Sequence, residues 1–330
     1  MGGEITPADW PILVTGASGF VGGHVARDLA RSGFPVRGLT RRPPDIRPGD
    51  PAIDWHVGDL RDPAHRRRAL RGARGVVHAA SWVSLGVDPR GHATEINVRA
   101  TRDLLCDAAS EGVERLVYTS TLHTLAAGTA DAPADESTPW NLDRVRSPYS
   151  ESKREAERIV LDGPVPAIAL CPGMVVGDRD PKPTSTRVLI LMARGRTAIL
   201  PRGGIPILDA SVAALAHRRA LSLGDPGTRY AVVGPYLSYL DLATLVARLT
   251  GNPRRIITLP DPLGPPLAAL AGLLDRLSRG RFPDVSSAAV AGGFLRLHVT
   301  GARADAAFGL SHPAAMDSIR SACKTSAAPA

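Results

Sequence analysis

An α/β fold, a doubly wound parallel sheet with a smaller C-terminal lobe, is what this chain of 330 residues predicts. Three observations carry the prediction. Through residue 172, short apolar runs alternate with segments whose apolar residues recur at helical spacing, the pattern of a parallel sheet covered on both faces. A glycine-rich stretch joins the first run to the first helical segment. Beyond residue 172 the alternation loosens into proline- and glycine-rich connections.

Residues 11–15 (Pro-Ile-Leu-Val-Thr) are apolar and bounded by glycine, which predicts a buried strand. Residues 19–32 have helical periodicity and end at Gly33. Further strands are predicted at 35–40, 53–57, 75–80 (Gly-Val-Val-His-Ala-Ala), 115–120 (Arg-Leu-Val-Tyr-Thr-Ser) and 165–171, with helices at 94–110 and 147–161. Next come a polar, proline-rich loop at 178–185, a helix at 187–194, a glycine/proline loop at 201–206, a helix at 212–223 and a strand at 229–234. A helix at 238–250 stops at Gly251-Asn252-Pro253. Residues 262–279 are Leu/Ala-rich and amphipathic, with Asp275 and Arg276 interrupting the apolar run. Residues 325–330 read as a disordered tail.

Composition excludes several classes. No stretch approaches the ~20 apolar residues of a membrane span, and residues 1–10 lack the layout of a signal peptide, so a cytoplasmic protein without stable membrane insertion is expected. Cys106, Cys171 and Cys323 are far apart, and no histidine pair has ligand spacing beside a carboxylate; neither disulfide nor metal is expected. The net charge of +8 is spread as arginine, with lysine only at 153, 182 and 324, so no nucleic-acid partner is expected. A homodimer is compatible with the sequence.

The stretch Thr15-Gly16-Ala17-Ser18-Gly19-Phe20-Val21-Gly22 carries the first chemical signal. Glycines between a strand and a helix permit a tight turn and close backbone approach, so that a pyrophosphate meets free N–H groups at the helix N-terminus. This predicts a Rossmann-type dinucleotide site. The second strand ends in Gly38-Leu39-Thr40-Arg41-Arg42, without the carboxylate that holds the ribose 2′-hydroxyl of NAD. Arg41 and Arg42 can pair with a 2′-phosphate instead, so NADP(H) is favoured over NAD(H). Asp59-Leu60 follows the third strand, where the acid can accept from an adenine amino group. His78 reads as a packed histidine, followed by the small residues Ala79 and Ala80.

Tyr149 and Lys153 stand four apart on a predicted helix and share a face. An ammonium beside a phenol lowers the phenol's pKa from about 10, which fits Tyr149 for proton transfer to or from a substrate oxygen. In a chain with so little lysine, one at this position is the less incidental. The fifth strand ends in Thr119-Ser120-Thr121, hydroxyls at the carboxyl end of a strand, where open α/β sheets bind ligands.

As an ordered set, Thr-Gly-Ala-Ser-Gly-Phe-Val-Gly at 15–22, Gly-Asp-Leu at 58–60, His-Ala-Ala at 78–80, Asn97 with Thr101, Tyr-Thr-Ser-Thr at 118–121, Tyr-x-x-x-Lys at 149–153 and Cys-Pro-Gly-Met-Val-Val-Gly at 171–177 resemble the extended short-chain dehydrogenase/reductases, the NAD-dependent epimerase/dehydratase family. Residues 115–183 look most like dihydroflavonol-reductase-like proteins and hopanoid-associated sugar epimerases. The resemblance implies Tyr149 as general acid/base, Lys153 on the nicotinamide ribose, and Thr121 polarising the substrate carbonyl. It also implies Gly16, Ser18, Gly19, Phe20, Val21 and Gly22 around the pyrophosphate, Arg41 at the 2′-phosphate, Asp59 and Leu60 at adenine, and Ala79, Ala80 and Pro172 along the cofactor. Ser81, Trp82, His123 and Met174 would line the substrate side. Cys171-Pro172, where the family usually has Arg-Pro or Asn-Pro, and Ala210-Ser211-Val212-Ala213, where it has Asp-Asp-Val-Ala, depart from the pattern.

The expected division is an NADP-binding Rossmann domain at 1–172, with 207–237 returning to it, and a lobe at 173–206 and 238–330 that binds a small-molecule substrate. The apolar face of 262–279 is expected to be buried over the substrate pocket. The expected activity is an NADP(H)-dependent ketoreductase or alcohol dehydrogenase. A nucleotide-sugar epimerase or 4-ketosugar reductase, with Arg187, Arg194, Arg196 or Arg202 on a diphosphate, is the alternative, followed by a hydroxysteroid-type dehydrogenase and a non-catalytic NADP-binding regulator.

Overall fold

A computed structural model describes residues 7–181, 185–193, 197–252, 255–282 and 285–326. The elements in chain order are β1 (Ile12–Thr15), α1 (Phe20–Arg31), β2 (Val36–Thr40), β3 (Asp54–Val57), α2 (Pro63–Leu70), β4 (Gly75–His78), α3 (Ala100–Ser110), β5 (Arg115–Thr119), α4 (Pro148–Leu161), β6 (Ala167–Pro172), β7 (Met174–Val176), α5 (Ser185–Ala193), β8 (Thr197–Pro201), β9 (Gly204–Asp209), α6 (Ala210–Leu223), β10 (Thr228–Val232), β11 (Tyr236–Ser238), α7 (Tyr239–Thr250), β12 (Arg255–Leu259), α8 (Gly264–Leu277), α9 (Ser287–Phe294), α10 (Ala302–Phe308) and α11 (Ala315–Ser326). Arg194 and Arg196, and the tail at 327–330, lie outside the described residues.

Seven strands form one sheet in the order β10-β6-β5-β4-β1-β2-β3, every neighbouring pair parallel. Alternation along the strands divides the core between the two faces. Ile12, Val14, Val77 and Val117 pack with Val25 and Leu29 of α1, Ala213 and Ala216 of α6 and Phe308 of α10. Leu13, Val76, Leu116 and Tyr118 pack with Leu70 of α2, Leu104 and Leu105 of α3 and Ala156 and Val160 of α4. The sheet runs outward in both directions from β1 and β4, so its switch point lies between their carboxyl ends, the position of the ligand crevice in such folds.

Three expectations are corrected. The expected loop at 201–206 is instead the end of β8 and the start of β9. These strands gain partners from distant sequence: β8 pairs with β12, and β9 with β7 and β11. Helix α2 was not expected. Its Arg66 is buried because Nε donates to Asp107 at 2.6 Å and Nη1 to the Leu60 carbonyl at 3.0 Å. The large apolar side chains of α8 face outward, not onto a pocket. Among the described residues no helix is long and apolar enough to cross a membrane, and no cluster of three or more His, Cys, Asp or Glu is placed to hold a metal.

Candidate active site

Gly16 leaves β1 at φ +69°, in the left-handed region that favours glycine. A methyl there would lie 2.8 Å from the Ala80 backbone, so the turn after β1 sits directly against the end of β4. A methyl on Gly22 would lie 2.4 Å from the Gly16 carbonyl. Helix α1 starts at Phe20 with extended Gly19 as its N-cap and no side chain capping it, and the first helical bond runs from Gly23 N to Gly19 O. The amides of Phe20, Val21 and Gly22 therefore precede the hydrogen-bond ladder and remain available to an acceptor.

At the end of β2, Thr40 donates to Ser18 at 2.5 Å, tying that strand to the glycine loop. Arg41 and Arg42 are exposed. Asp59 accepts from Arg61 in bidentate fashion (3.0 and 2.7 Å), and this pairing brings its carboxyl down to about 2, with Arg41 adding to the effect. The acid implied for adenine thus already has a partner that sequence reading missed. Leu60 is buried.

His78 is packed, as read. It lies between Thr15 Oγ1 (2.7 Å) and Thr101 Oγ1 (2.8 Å), and burial lowers its pKa to about 3, which keeps it neutral. Thr15 Oγ1 accepts from Ala80 N, so the histidine also steadies the chain beside Gly16.

Helix α4 carries the candidate proton pair. Ser147 and Ser150 form a reciprocal capping box, and Pro148 opens the first turn with its fixed φ. That places Tyr149 in the first turn. Lys153 and Glu157 follow at i+4 and i+8 on the same face. Lys153 is only 2% exposed. Its Nζ donates to the Thr119 carbonyl at 2.6 Å and lies 4.1 Å from the Tyr118 ring centroid. Burial lowers its pKa to about 7, opposed by the Glu157 carboxylate.

Tyr149 departs from expectation. Burial raises its pKa above the ordinary 10, and the Thr121 hydroxyl, its hydrogen-bonding partner, only partly offsets this. Lys153, expected to lower it, is directed to the Thr119 carbonyl instead. The phenol is therefore protonated at neutral pH.

Beneath the pair lies a buried carboxylate. Glu157 accepts from Ser120 Oγ, from Thr124 Oγ1 at 2.8 Å and from Arg229 at 3.4 Å, with Cys171 Sγ at 3.5 Å. His217 also escaped sequence reading. Its Nδ1 faces the Ala213 carbonyl at 2.7 Å and so carries the proton; Nε2 then accepts from Thr119 Oγ1 at 2.8 Å. The i+4 spacing beyond Lys153 was a usable signal for Glu157. Nothing local pointed to His217, which arrives from α6.

On the opposite rim, Asn97 is buried in the helical turn that leads into α3. It accepts from Trp82 N (2.7 Å) and Ser81 Oγ (3.1 Å) and donates to the Trp82 carbonyl and Ser152 Oγ, both at 2.9 Å. One amide thus links the segment after β4 to α4. His123 stands edge-on to Tyr149, with ring centroids 6.4 Å apart, and its buried Nδ1 has no partner. Thr121, Tyr149, Lys153 and His123 are brought together. Met174 instead packs with the core of the C-terminal lobe, and Pro172 lies in the β6–β10 ladder.

The profile of the NAD dependent epimerase/dehydratase family matches residues 12–203. The chain is 30% identical over 259 residues to a Synechocystis protein described as a dihydroflavonol 4-reductase, covering 75% of each. It is 29% identical over 278 residues to sterol demethylase protein B of Methylococcus capsulatus, covering 82% of this chain and 83% of the relative. The solved structure of gox2253 superposes with a TM-score of 0.81 at 30% identity, covering 96% of this chain and 97% of the other. Thermus thermophilus UDP-glucose 4-epimerase, in complex with NAD, superposes with a TM-score of 0.74 at 23% identity, covering 96% and 98%, a likeness of fold.

Proposed function

The chain belongs to the NAD dependent epimerase/dehydratase family, and from that premise we propose that it is an NADP(H)-dependent oxidoreductase that reduces a small-molecule carbonyl or oxidises the alcohol. The observation that carries the reading is the grouping of Tyr149, Thr121 and Lys153 at the end of β5, on the same edge of the sheet as the glycine turn. The site fits a dinucleotide: Gly16 and Gly22 leave no room for a Cβ, and the first-turn amides of α1 lack helical acceptors. Gly16, Ser18, Gly19, Phe20, Val21 and Gly22 would hold the pyrophosphate, Asp59 and Leu60 the adenine, and Ala79, Ala80, Pro172 and Lys153 the nicotinamide half. Arg41 and Arg42, exposed where an NAD site places an acid, support NADP(H). When bound, the cofactor supplies or accepts the hydride.

The protein's own residues handle the proton. A phenol held protonated at neutral pH is an acid ready to donate to the carbonyl oxygen of a ketone or aldehyde. Thr121, the hydrogen-bonding partner of Tyr149, would orient that oxygen, and Lys153, anchored on the Thr119 carbonyl, would hold the nicotinamide ribose. Ser81, Trp82 and His123 are proposed on the substrate side of the dinucleotide domain, formed by 1–172 with 207–237, and a lobe of 173–206 and 238–330 is proposed to complete the substrate site. The setting proposed is cytoplasmic.

The test is NADPH and NADH consumption against ketones, flavanonols, steroids and nucleotide-4-ketosugars, with Tyr149→Phe as control. A loss of about 10²–10⁴-fold in that variant is expected. An unchanged rate would sink the mechanism, and turnover of a nucleotide sugar without added cofactor would replace it with an epimerase.

A further inference from the structure

A helix packed on a lobe normally turns its large apolar residues inward. Helix α8 reverses this. Its inward stripe is Gly264, Ala268, Ala271 and Asp275, while Leu270, Leu273, Leu274 and Leu277, at i, i+3, i+4 and i+7, face outward with 54%, 55%, 49% and 73% exposed. Phe282 (60%) and Val285 (45%) extend the face past the helix end. The small stripe has a steric cause, because α8 lies close against α9. A methyl at Gly264 would come 3.1 Å from the Phe294 ring, and one at Gly272 3.1 Å from Ser287 Cβ. The leucines have no room to turn in.

The described charged side chains exposed on α8 and the turn after it are arginines. Between 262 and 282 the exposed charged side chains are Arg276, Arg279 and Arg281. Asp275 is turned inward, its Oδ2 accepting from Val87 N at 2.8 Å. With Asp284 the stretch still holds three arginines against two acids, one of them buried. We propose that this face docks the protein on an anionic lipid surface, with the leucines among the acyl chains and the arginines at the headgroups. A second copy is the poorer occupant, since a two-fold contact through this patch would set like arginines against each other.

The patch is continuous with the segment that follows β4. Besides the Asp275–Val87 bond, Ser286 Oγ donates to the Leu85 carbonyl at 2.8 Å, and a methyl at Gly280 would lie 2.8 Å from the Val87 carbonyl. That segment begins at Ser81 and Trp82, so docking brings the proposed substrate rim to the lipid. The docking itself does not depend on the reductase reading.

Flotation of the full chain with phosphatidylglycerol–phosphatidylcholine vesicles, against phosphatidylcholine alone, tests the proposal without using activity. Association with the anionic vesicles, weakening as salt rises, is expected. Leu273→Glu with Leu277→Glu should lower the partition coefficient about tenfold or more. Arg276→Gln with Arg281→Gln should lower it about fivefold per arginine. All these positions are exposed, and unchanged circular dichroism and urea midpoints check the fold; the salt series on the unmodified chain stands without any variant. Failure of the unmodified chain to float, or flotation of both variants equal to it, overturns the proposal. So does a dimer that the leucine variant splits while the unmodified chain ignores vesicles.

Discussion

Lys153→Met keeps an unbranched side chain one atom shorter in a fully buried position and removes the charge, so it reads what that charge does to the fold. In the unfolded chain Lys153 has the ordinary pKa of 10.5; in the folded protein burial brings it to about 7. Between these values the unfolded state binds more protons than the folded one, so stability rises with pH across the window. At about 1.4 kcal/mol per pH unit, the difference amounts to roughly 5 kcal/mol, of which about 4 kcal/mol is forfeited at pH 7 and regained as pH climbs toward 10.5. Methionine has no such titration. It leaves Glu157 its bonds to Ser120, Thr124 and Arg229, and it deprives the Thr119 carbonyl of one donor, a cost of about 1 kcal/mol. Urea unfolding of both proteins at pH 7, 8 and 9 reads the effect, since tyrosines and cysteines titrate alike in each. The gap between them should move by roughly 2–3 kcal/mol in favour of the lysine protein over those two pH units. A gap that stays constant would refute the reasoning.

Glu157→Gln removes the largest influence holding the Lys153 pKa up, so the onset of that pH-dependent rise should move to lower pH in the same urea series. Gly16→Ala forces a side chain into φ +69° and against Ala80; a stability loss of about 1–3 kcal/mol is expected. NADPH affinity, followed by nucleotide fluorescence, should fall with it. Arg41→Ala should raise KM for NADPH about tenfold or more while leaving NADH nearly unchanged, the mark of a lost 2′-phosphate contact.

The parallel sheet was legible because its central strands β1, β4 and β6 are short apolar runs, and such runs need no partner to be recognised. Helix α2 was not, because its sequence Pro-Ala-His-Arg-Arg-Arg-Ala-Leu shows no apolar stripe, and Arg66 becomes a buried residue only through Asp107, forty-one positions away. Strands β8 and β9 were hidden by their prolines and glycines, and they form through partners contributed by β12, β7 and β11. In the site, spacing within one helix brought Tyr149 and Lys153 to notice, but it could not say which atom Lys153 faces. The direction of the Tyr149 pKa was misread for that reason: burial and the Thr119 carbonyl are properties of the assembled sheet. The outward leucines of α8 were misassigned because amphipathicity marks a face without saying which side it turns to the protein.

Asn97 carries a consequence for the order in which the molecule assembles. Three of its four bonds tie it to Ser81 and Trp82, and only the fourth, to Ser152 Oγ, waits until α4 has docked on the sheet. The rim holding Ser81 and Trp82 can thus assemble on Asn97 before α4 arrives and is then fixed to that helix by a single bond. The Trp82 amide, held at 2.7 Å by Asn97, should then exchange its hydrogen for deuterium more slowly than an unbonded amide of a short surface segment between two elements.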